Sequence, residues 1–397
     1  MPSLWSTLTA APHRVMFLPG ALQTVAVMLW WMLDLTLRQA GEAPVPGPIL
    51  HAWWMLFGVF PFFIFGFLFT AAPNWLNGPA IARPVYGASA LLMTLGVALV
   101  HASLALPTLL APGLALHLAG WITALAGLLH TLRAAPAQDK LHAALAVAAA
   151  GLGGLGAAAF LVWTVAGWPN ALPLALRLGV WGFLAPVFLV VCHRMIPWFT
   201  SRVVNNYVLI RPYAPLWALL AACLAHALLE PWRALTWLAD LPLAGIVFWF
   251  AARWGVARGV RQAPLLAMLF IAFLWAGAAF ALYAADSLAA LAGWTWNAGR
   301  APVHALGIGF FATMLVAMAS RVSLGHSGRK LEADTLTQAL FWLVQAVALI
   351  RMTPELTGVQ SEGWNLAAGG LWLLGFGLWA GRYAPMYWRA RVDGKTG

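Results

Sequence analysis

From Leu265 to Ala285 the chain reads LLAMLFIAFLWAGAAFALYAA, twenty-one residues with no charge and no proline. A helix rises about 1.5 Å per residue, so this run covers roughly 30 Å, the thickness of a bilayer's hydrocarbon core. Inside lipid every backbone N–H and C=O must be satisfied within the structure. A continuous apolar run without period-two alternation does so as a helix. Working outward, eleven further runs of the same kind follow the same logic. Together the spans read Val15–Leu37, Ile49–Ala71, Val85–Leu106, Leu109–Leu132, Leu141–Val165, Leu174–Phe199, Ala214–Leu229, Leu235–Trp254, Leu265–Ala285, Val303–Ser320, Leu336–Arg351 and Trp364–Tyr383. The seventh and eleventh are short. An interfacial segment in place of either would change the count of twelve. The expected fold is all-α: one transmembrane helical domain over residues 1–397, with spans from about 15 to 383 and a short basic tail at 384–397. The first run is too long and too rich in tryptophan for a cleaved signal peptide, so an uncleaved first helix is expected.

Composition supports this reading. Of 397 residues, 63% are apolar and 8% charged, against roughly 45–50% and about 25% for soluble chains. This excludes a soluble enzyme, a disordered chain and a disulfide-stapled secreted domain. Glycine and proline show no Gly-X-Y period, which excludes collagen. The two cysteines, Cys192 and Cys223, lie in apolar runs and make no framework. The loops are too short for a P-loop or Rossmann domain, so energy must come from a redox couple, an ion gradient or a partner.

The charges test the span count independently. Of the 22 lysines and arginines, 17 fall on the side holding the N-terminus; the other side has only Arg38, Arg177, Arg233, Arg300 and Arg351. Seven of the 11 acids fall opposite: Asp34, Glu42, Glu230, Asp240, Asp286, Glu355 and Glu362. The positive-inside rule therefore places both termini in the cytoplasm. The net charge of +11 is an orientation signal and a surface for anionic headgroups; it needs no nucleic-acid partner. Trp5, Trp75, Trp168, Trp232, Trp294, Trp296 and Trp388 lie near helix ends, as an interfacial belt requires. Gly151–Gly156 and the Gly377/Gly381 pair read as helix-packing positions. Residue identities show no convincing internal repeat, although Ser-Arg-Val recurs at 201–203 and 320–322.

Ionisable groups within a membrane are costly, and each is a candidate site. Carboxylates are almost absent from the span centres, which argues against buried Asp or Glu relays and against a carboxylate-bridged di-iron site. Histidine remains, with ten copies. Neutral imidazole enters an apolar bundle cheaply and ligates iron, copper or zinc. Topology sorts the histidines by depth. His51, His304 and His226 lie near the outer face, and His193 and His326 near the inner one. His304 and Arg321 are 17 residues apart, roughly 25 Å along a helix, so one metal cannot serve both ends. The outer group is the candidate haem site: His51 and His304 share a depth on different spans, and the Phe57–Phe69 aromatic run walls a flat apolar slot. Met55, one turn from His51, either ligates or packs. The inner group is His193, Arg194, Arg321, His326, Arg329 and Lys330. Its guanidiniums suit haem propionates, a quinol headgroup or lipid phosphate; basic residues belong on this rim in any case. For metal binding the candidates are His51, His304, His193, His326 and His226. Cys223, three residues before His226, weakly suggests copper. Each histidine equally suits helix capping or a carbonyl partner, and each cysteine suits packing.

Three segments carry a resemblance. They are His51-Ala52-Trp53-Trp54-Met55-Leu56-Phe57-Gly58 with Gly66-Phe67-Leu68-Phe69-Thr70-Ala71-Ala72-Pro73-Asn74-Trp75; His193-Arg194-Met195-Ile196-Pro197-Trp198-Phe199-Thr200; and His304-Ala305-Leu306-Gly307-Ile308-Gly309 leading to Ser320-Arg321-Val322-Ser323-Leu324-Gly325-His326-Ser327-Gly328-Arg329. In order and spacing they resemble the NnrS family, over about Pro12 to Tyr383. The resemblance implies a twelve-span protein of the bacterial cytoplasmic (inner) membrane that contains haem b and copper. It further implies a link to nitric oxide metabolism and nitrosative-stress defence. The first expectation built on this is a haem-binding membrane oxidoreductase or sensor-like protein that handles nitric oxide, with quinol in the same bilayer as the source of electrons and protons. His51, His304 and His326 match family histidines, with Arg321 and Arg329 beside them. Better-known members read His-Ala-His-Glu-Met in the second span. Trp53 and Trp54 stand here in place of the second His and the Glu, which removes a ligand and a proton-transfer carboxylate; His193 is one source for the missing imidazole. The alternative is a non-enzymatic transporter or channel for a metal, haem or small solute, against which the scarcity of midplane charge counts. A scaffold subunit whose histidines only satisfy backbone groups is a third reading.

Overall fold

The computed structural model describes residues 3–37, 45–359 and 362–394. Arg38, Glu42 and Lys395, used in the charge count, lie outside the described residues. The chain is 82% helical, with no strand among the described residues. Every expected run is a helix: α1 Pro12–Leu37, α2 Gly47–Leu76, α3 Arg83–Ala102, α4 Pro107–Ala134, α5 Leu141–Ala166, α6 Ala171–Ser201, α7 Tyr213–Leu229, α8 Trp237–Arg253, α9 Pro264–Leu291, α10 Ala301–His326, α11 Thr335–Thr357 and α12 Glu362–Tyr383. Among the described residues nine are long and apolar enough to cross a membrane. A tenth crosses if α8 and Val256–Gln262, bent by 58°, form one span. The bend falls at Gly255, whose φ of +79° lies in the left-handed region that glycine adopts without strain. Of the expected twelve, α7 is short, as its sequence suggests, and tryptophan, glycine and Asn365 dilute the apolar character of α12. The eleventh is longer than expected, because its helix continues beyond Arg351 to Thr357.

The helices fall into two compact units. The first holds residues 1–187, His326–Gly328 and the chain from Ala380 onward; the second holds 188–325 and 329–379. In the first, α3 and α4 pack at backbone contact. A Cβ on Gly96 would lie 2.5 Å from the His117 amide nitrogen, and Ser89 Oγ donates to the Gly120 carbonyl at 2.8 Å. Small residues are what permit such an approach without a hydrophobic drive between helices. Gly153 and Gly156 pack as expected, with an added Cβ 2.6 Å from Phe183 and 3.1 Å from Leu178 and Phe57, whereas Gly377 and Gly381 would meet nothing within 4 Å among the described residues. The core is aromatic: Trp53, Trp54, Phe57, Phe62, Phe65 and Trp121 are buried. The chain's end straps this unit. Arg14 donates to the Arg389 carbonyl at 3.0 Å, Arg391 to the His326 carbonyl at 3.0 Å, and the Val392 amide to Ser327 at 3.1 Å.

In the second unit, polar side chains tie apolar helices together. Trp275 on α9 donates to Gln345 on α11 at 2.7 Å, and Gln345 donates to Thr313 on α10 at 3.0 Å. Trp379 donates to Ser320 at 2.9 Å. Arg233 grips Asp286 with two nitrogens at 2.7 Å, and this carboxylate holds the guanidinium above its ordinary range.

Three spans are interrupted by π-helical turns: Trp54–Val59 in α2, Leu178–Leu184 in α6 and Ala305–Ala312 in α10. Each contains a glycine that faces the preceding span. A Cβ on Gly58 would lie 3.6 Å from Gln23, one on Gly182 3.2 Å from Leu152, and one on Gly309 2.5 Å from Trp275. The three glycines are spaced 124 and 127 residues apart, on every fourth span. This recurrence escapes residue identity because lipid-facing positions accept any apolar side chain, while the widened turn constrains only one small residue.

Candidate functional site

Turns of this kind are frequent at functional sites. The residues that immediately precede them are Trp53, Arg177 and His304. His304 turns Nδ1 onto the carbonyl of Arg300, one turn back, at 2.8 Å. A carbonyl only accepts, so Nδ1 carries a proton, and in the neutral ring Nε2 is the nitrogen with a lone pair. That fixes ring and tautomer in the form a metal-ligating imidazole takes.

His51 opens α2 in the first unit, half-buried, its ring stacked on Trp31 at 4.4 Å and 27°. The indoles that follow it are buried. Trp54 stacks on His101 of α3 at 4.1 Å, and His101 Nε2 donates to Gln23 Oε1 at 3.1 Å. Trp53 meets His117 of α4 edge-on at 5.6 Å, and His117 Nδ1 faces the Met93 carbonyl at 3.4 Å. The side-chain nitrogens Trp53 Nε1, Trp54 Nε1 and Gln23 Nε2 are buried with no hydrogen-bond partner. Sequence reasoning missed His101, His117 and Gln23. The available signal was that α3 and α4 are joined by a short connection, which brings His101 at the end of one and His117 in the first half of the other onto α2.

The remaining expected residues divide between the units. His193 in the second unit is buried against Phe250 and Trp254 and donates through Nε2 to the Pro212 carbonyl at 3.1 Å. Trp254 donates to Ile210 at 3.0 Å, so together they hold the connection between α6 and α7. Arg321 lies over the Phe199 ring at 4.0 Å, and Arg194 and Arg329 are half-buried in the same unit. His326 belongs to the first unit, with its ring 4.5 Å from that of His13. His226 is bound through Nδ1 to Asp240 at 2.6 Å, both buried, and packs edge-on against Tyr283 at 4.9 Å. Sequence reading places Asp240 among the outer acids; the fold buries it completely in the first turn of α8, where the helix N-terminus favours negative charge.

The NnrS protein family model matches residues 7–391, nearly the whole chain. The chain belongs to the NnrS family. No curated protein matches it. NnrS proteins are associated with haem and copper, and the residues of this one can be tested against both groups. A haem needs one or two axial imidazoles and an apolar aromatic surround. His304, with Nδ1 on the Arg300 carbonyl, fits that requirement; His117 is a buried imidazole among Trp53, Phe62 and Trp121. Copper needs a cluster of nitrogen and sulfur donors. Among the described residues no group of three or more His, Cys, Asp or Glu comes close enough to hold a metal ion, and Cys192 and Cys223 are buried apart from any such group.

Proposed function

We propose that this NnrS protein binds haem b in the bacterial cytoplasmic membrane and acts on nitric oxide, as an oxidoreductase that draws electrons from quinol. The observation that carries the reading is His304: a family-matching histidine at the start of a π turn, its Nδ1 proton committed to a backbone carbonyl. Bound haem would supply a redox-active iron able to take a diatomic gas. His304 would hold the haem iron. His51, held against Trp31, is a second candidate in its own unit. In the second unit, His193 with Arg194, Arg321 and Arg329 is proposed for the inner side, where guanidiniums suit carboxylate or quinol oxygens; His326 is a separate candidate in the first unit. Nitric oxide is small and apolar, so it partitions into lipid and needs no polar channel. Reducing two molecules to nitrous oxide takes two electrons and two protons. Quinol yields both, and the buried His226–Asp240 pair is a group in the spans able to hold a proton.

The test is optical. Protein purified in mild detergent should contain iron and show a Soret band that shifts when nitric oxide is added. His304→Ala should lose most of that band, while His51→Ala and His117→Ala report which other imidazole contributes. Folded, iron-free protein without a Soret band, or a spectrum unchanged in all three variants, overturns the proposal.

A further inference from the structure

The first turn of α1, the last residue of α10 and the chain's end meet in the first unit, and the charges there do not balance. His13 is 2% exposed; its ring lies 4.5 Å from that of His326, and its Nδ1 is buried without a partner. Arg14 is also 2% exposed. It spends Nη1 on the carbonyls of Thr7 at 3.4 Å and Arg389 at 3.0 Å, and among the described residues no carboxylate pairs with it. Arg391 lies close enough for its charge to be felt at His13, Arg14 and His326. The acid at hand, Asp393, is taken by Arg391 at 2.8 and 2.6 Å. Among the described residues Arg14 thus has no carboxylate of its own, while Arg391 holds Asp393.

A buried guanidinium normally has an anionic partner, because carbonyls satisfy its hydrogen bonds but not its charge. The sign of the surroundings also selects the ligand. A metal ion would be repelled by Arg14 and Arg391, whereas a tetrahedral oxyanion would collect charge-assisted bonds from the fork of Arg14 and the ring nitrogens.

We propose that His13, Arg14 and His326 form a binding site for a phosphate-type oxyanion, supplied by the phosphodiester of an anionic lipid headgroup. The lipid source follows from position. His13 and Arg14 begin a membrane span on the side that holds 17 of the 22 basic residues, which is headgroup level on the cytoplasmic leaflet. The proposal rests on membrane topology; it shares His326 with the inner-side reading above, and Arg14, which that reading does not use, tells the two apart.

The experiment uses the full chain in neutral detergent after delipidation. Native mass spectrometry compares binding of phosphatidylglycerol and phosphatidylcholine, and thermal stability is followed with added inorganic phosphate. Wild type should prefer phosphatidylglycerol. Arg14→Gln should weaken that binding by about tenfold or more, the worth of a charged hydrogen bond, and His326→Gln by a smaller factor. Arg133→Gln, an exposed basic residue of the same side, should leave it unchanged. Stabilisation by inorganic phosphate that Arg14→Gln abolishes, with no preference between the lipids, keeps the oxyanion site and makes free phosphate its source. Equal phosphatidylglycerol binding in wild type, Arg14→Gln and His326→Gln overturns the proposal, as does loss of haem absorbance in these variants with lipid binding intact, which would assign the cluster to a cofactor carboxylate. Should Arg14→Gln not fold, His326→Gln decides, since its ring is only partly buried.

Discussion

Asp240 shows how much depends on one side chain. Its carboxylate is fully buried, holds His226 at 2.6 Å, and keeps its second oxygen without a partner. Removing one member of a buried pair strands the other and typically costs about 3–5 kcal/mol. Asp240→Ala should therefore destabilise the protein by that order in a denaturant titration. Asp240→Asn should cost less, because an amide oxygen still accepts from the imidazole. Equal losses in both variants would mean that charge rather than hydrogen bonding holds the pair. At this scale the sequence is partly legible. His51, His304 and His326 stand out as imidazoles at span ends. His101, His117 and Gln23 do not, since nothing in their neighbours announces that Trp53 and Trp54 will pack onto them.

Among elements, the π turns depend on close packing at a glycine. Gly309 faces Trp275, whose indole is pinned by Gln345 at 2.7 Å and cannot swing aside cheaply. Gly309→Ala should lower stability by about 1–3 kcal/mol through overpacking and weaken any haem band by shifting the start of α10. Trimming the opposing ring with Trp275→Leu should recover part of the loss. Gly151→Ala is the matched control: a Cβ there meets nothing within 4 Å, so better helix propensity should make it neutral or stabilising by up to about 1 kcal/mol. Thermal melts of the four proteins in one detergent decide this. The spans themselves are read from apolar length. The π turns are not, because a widened turn leaves the apolar pattern unchanged.

The whole molecule rests on an orientation set by charge. A cysteine replacing Trp294, 70% exposed between α9 and α10, should react with a membrane-impermeant maleimide in intact cells. A cysteine replacing Asn205, exposed between α6 and α7, should react only after permeabilisation. The native Cys192 and Cys223 are buried and should stay silent. The reverse labelling pattern would invert the orientation and move the His13–Arg14 cluster to the outer face.

The sequence alone determined the solvent. With 8% charged residues and repeated twenty-residue apolar runs, the chain has no structure open to it but a bundle of membrane helices, and that conclusion needs only local composition and the bilayer's thickness. Family membership was equally local, resting on short stretches around His51, His193 and His304. Tertiary structure decided the partners: His326 with His13, Asp240 with His226, Trp53 and Trp54 with His117 and His101. Those choices depend on which faces of distant helices meet, and in lipid, where one apolar surface packs about as well as another, small residues and single hydrogen bonds make that selection.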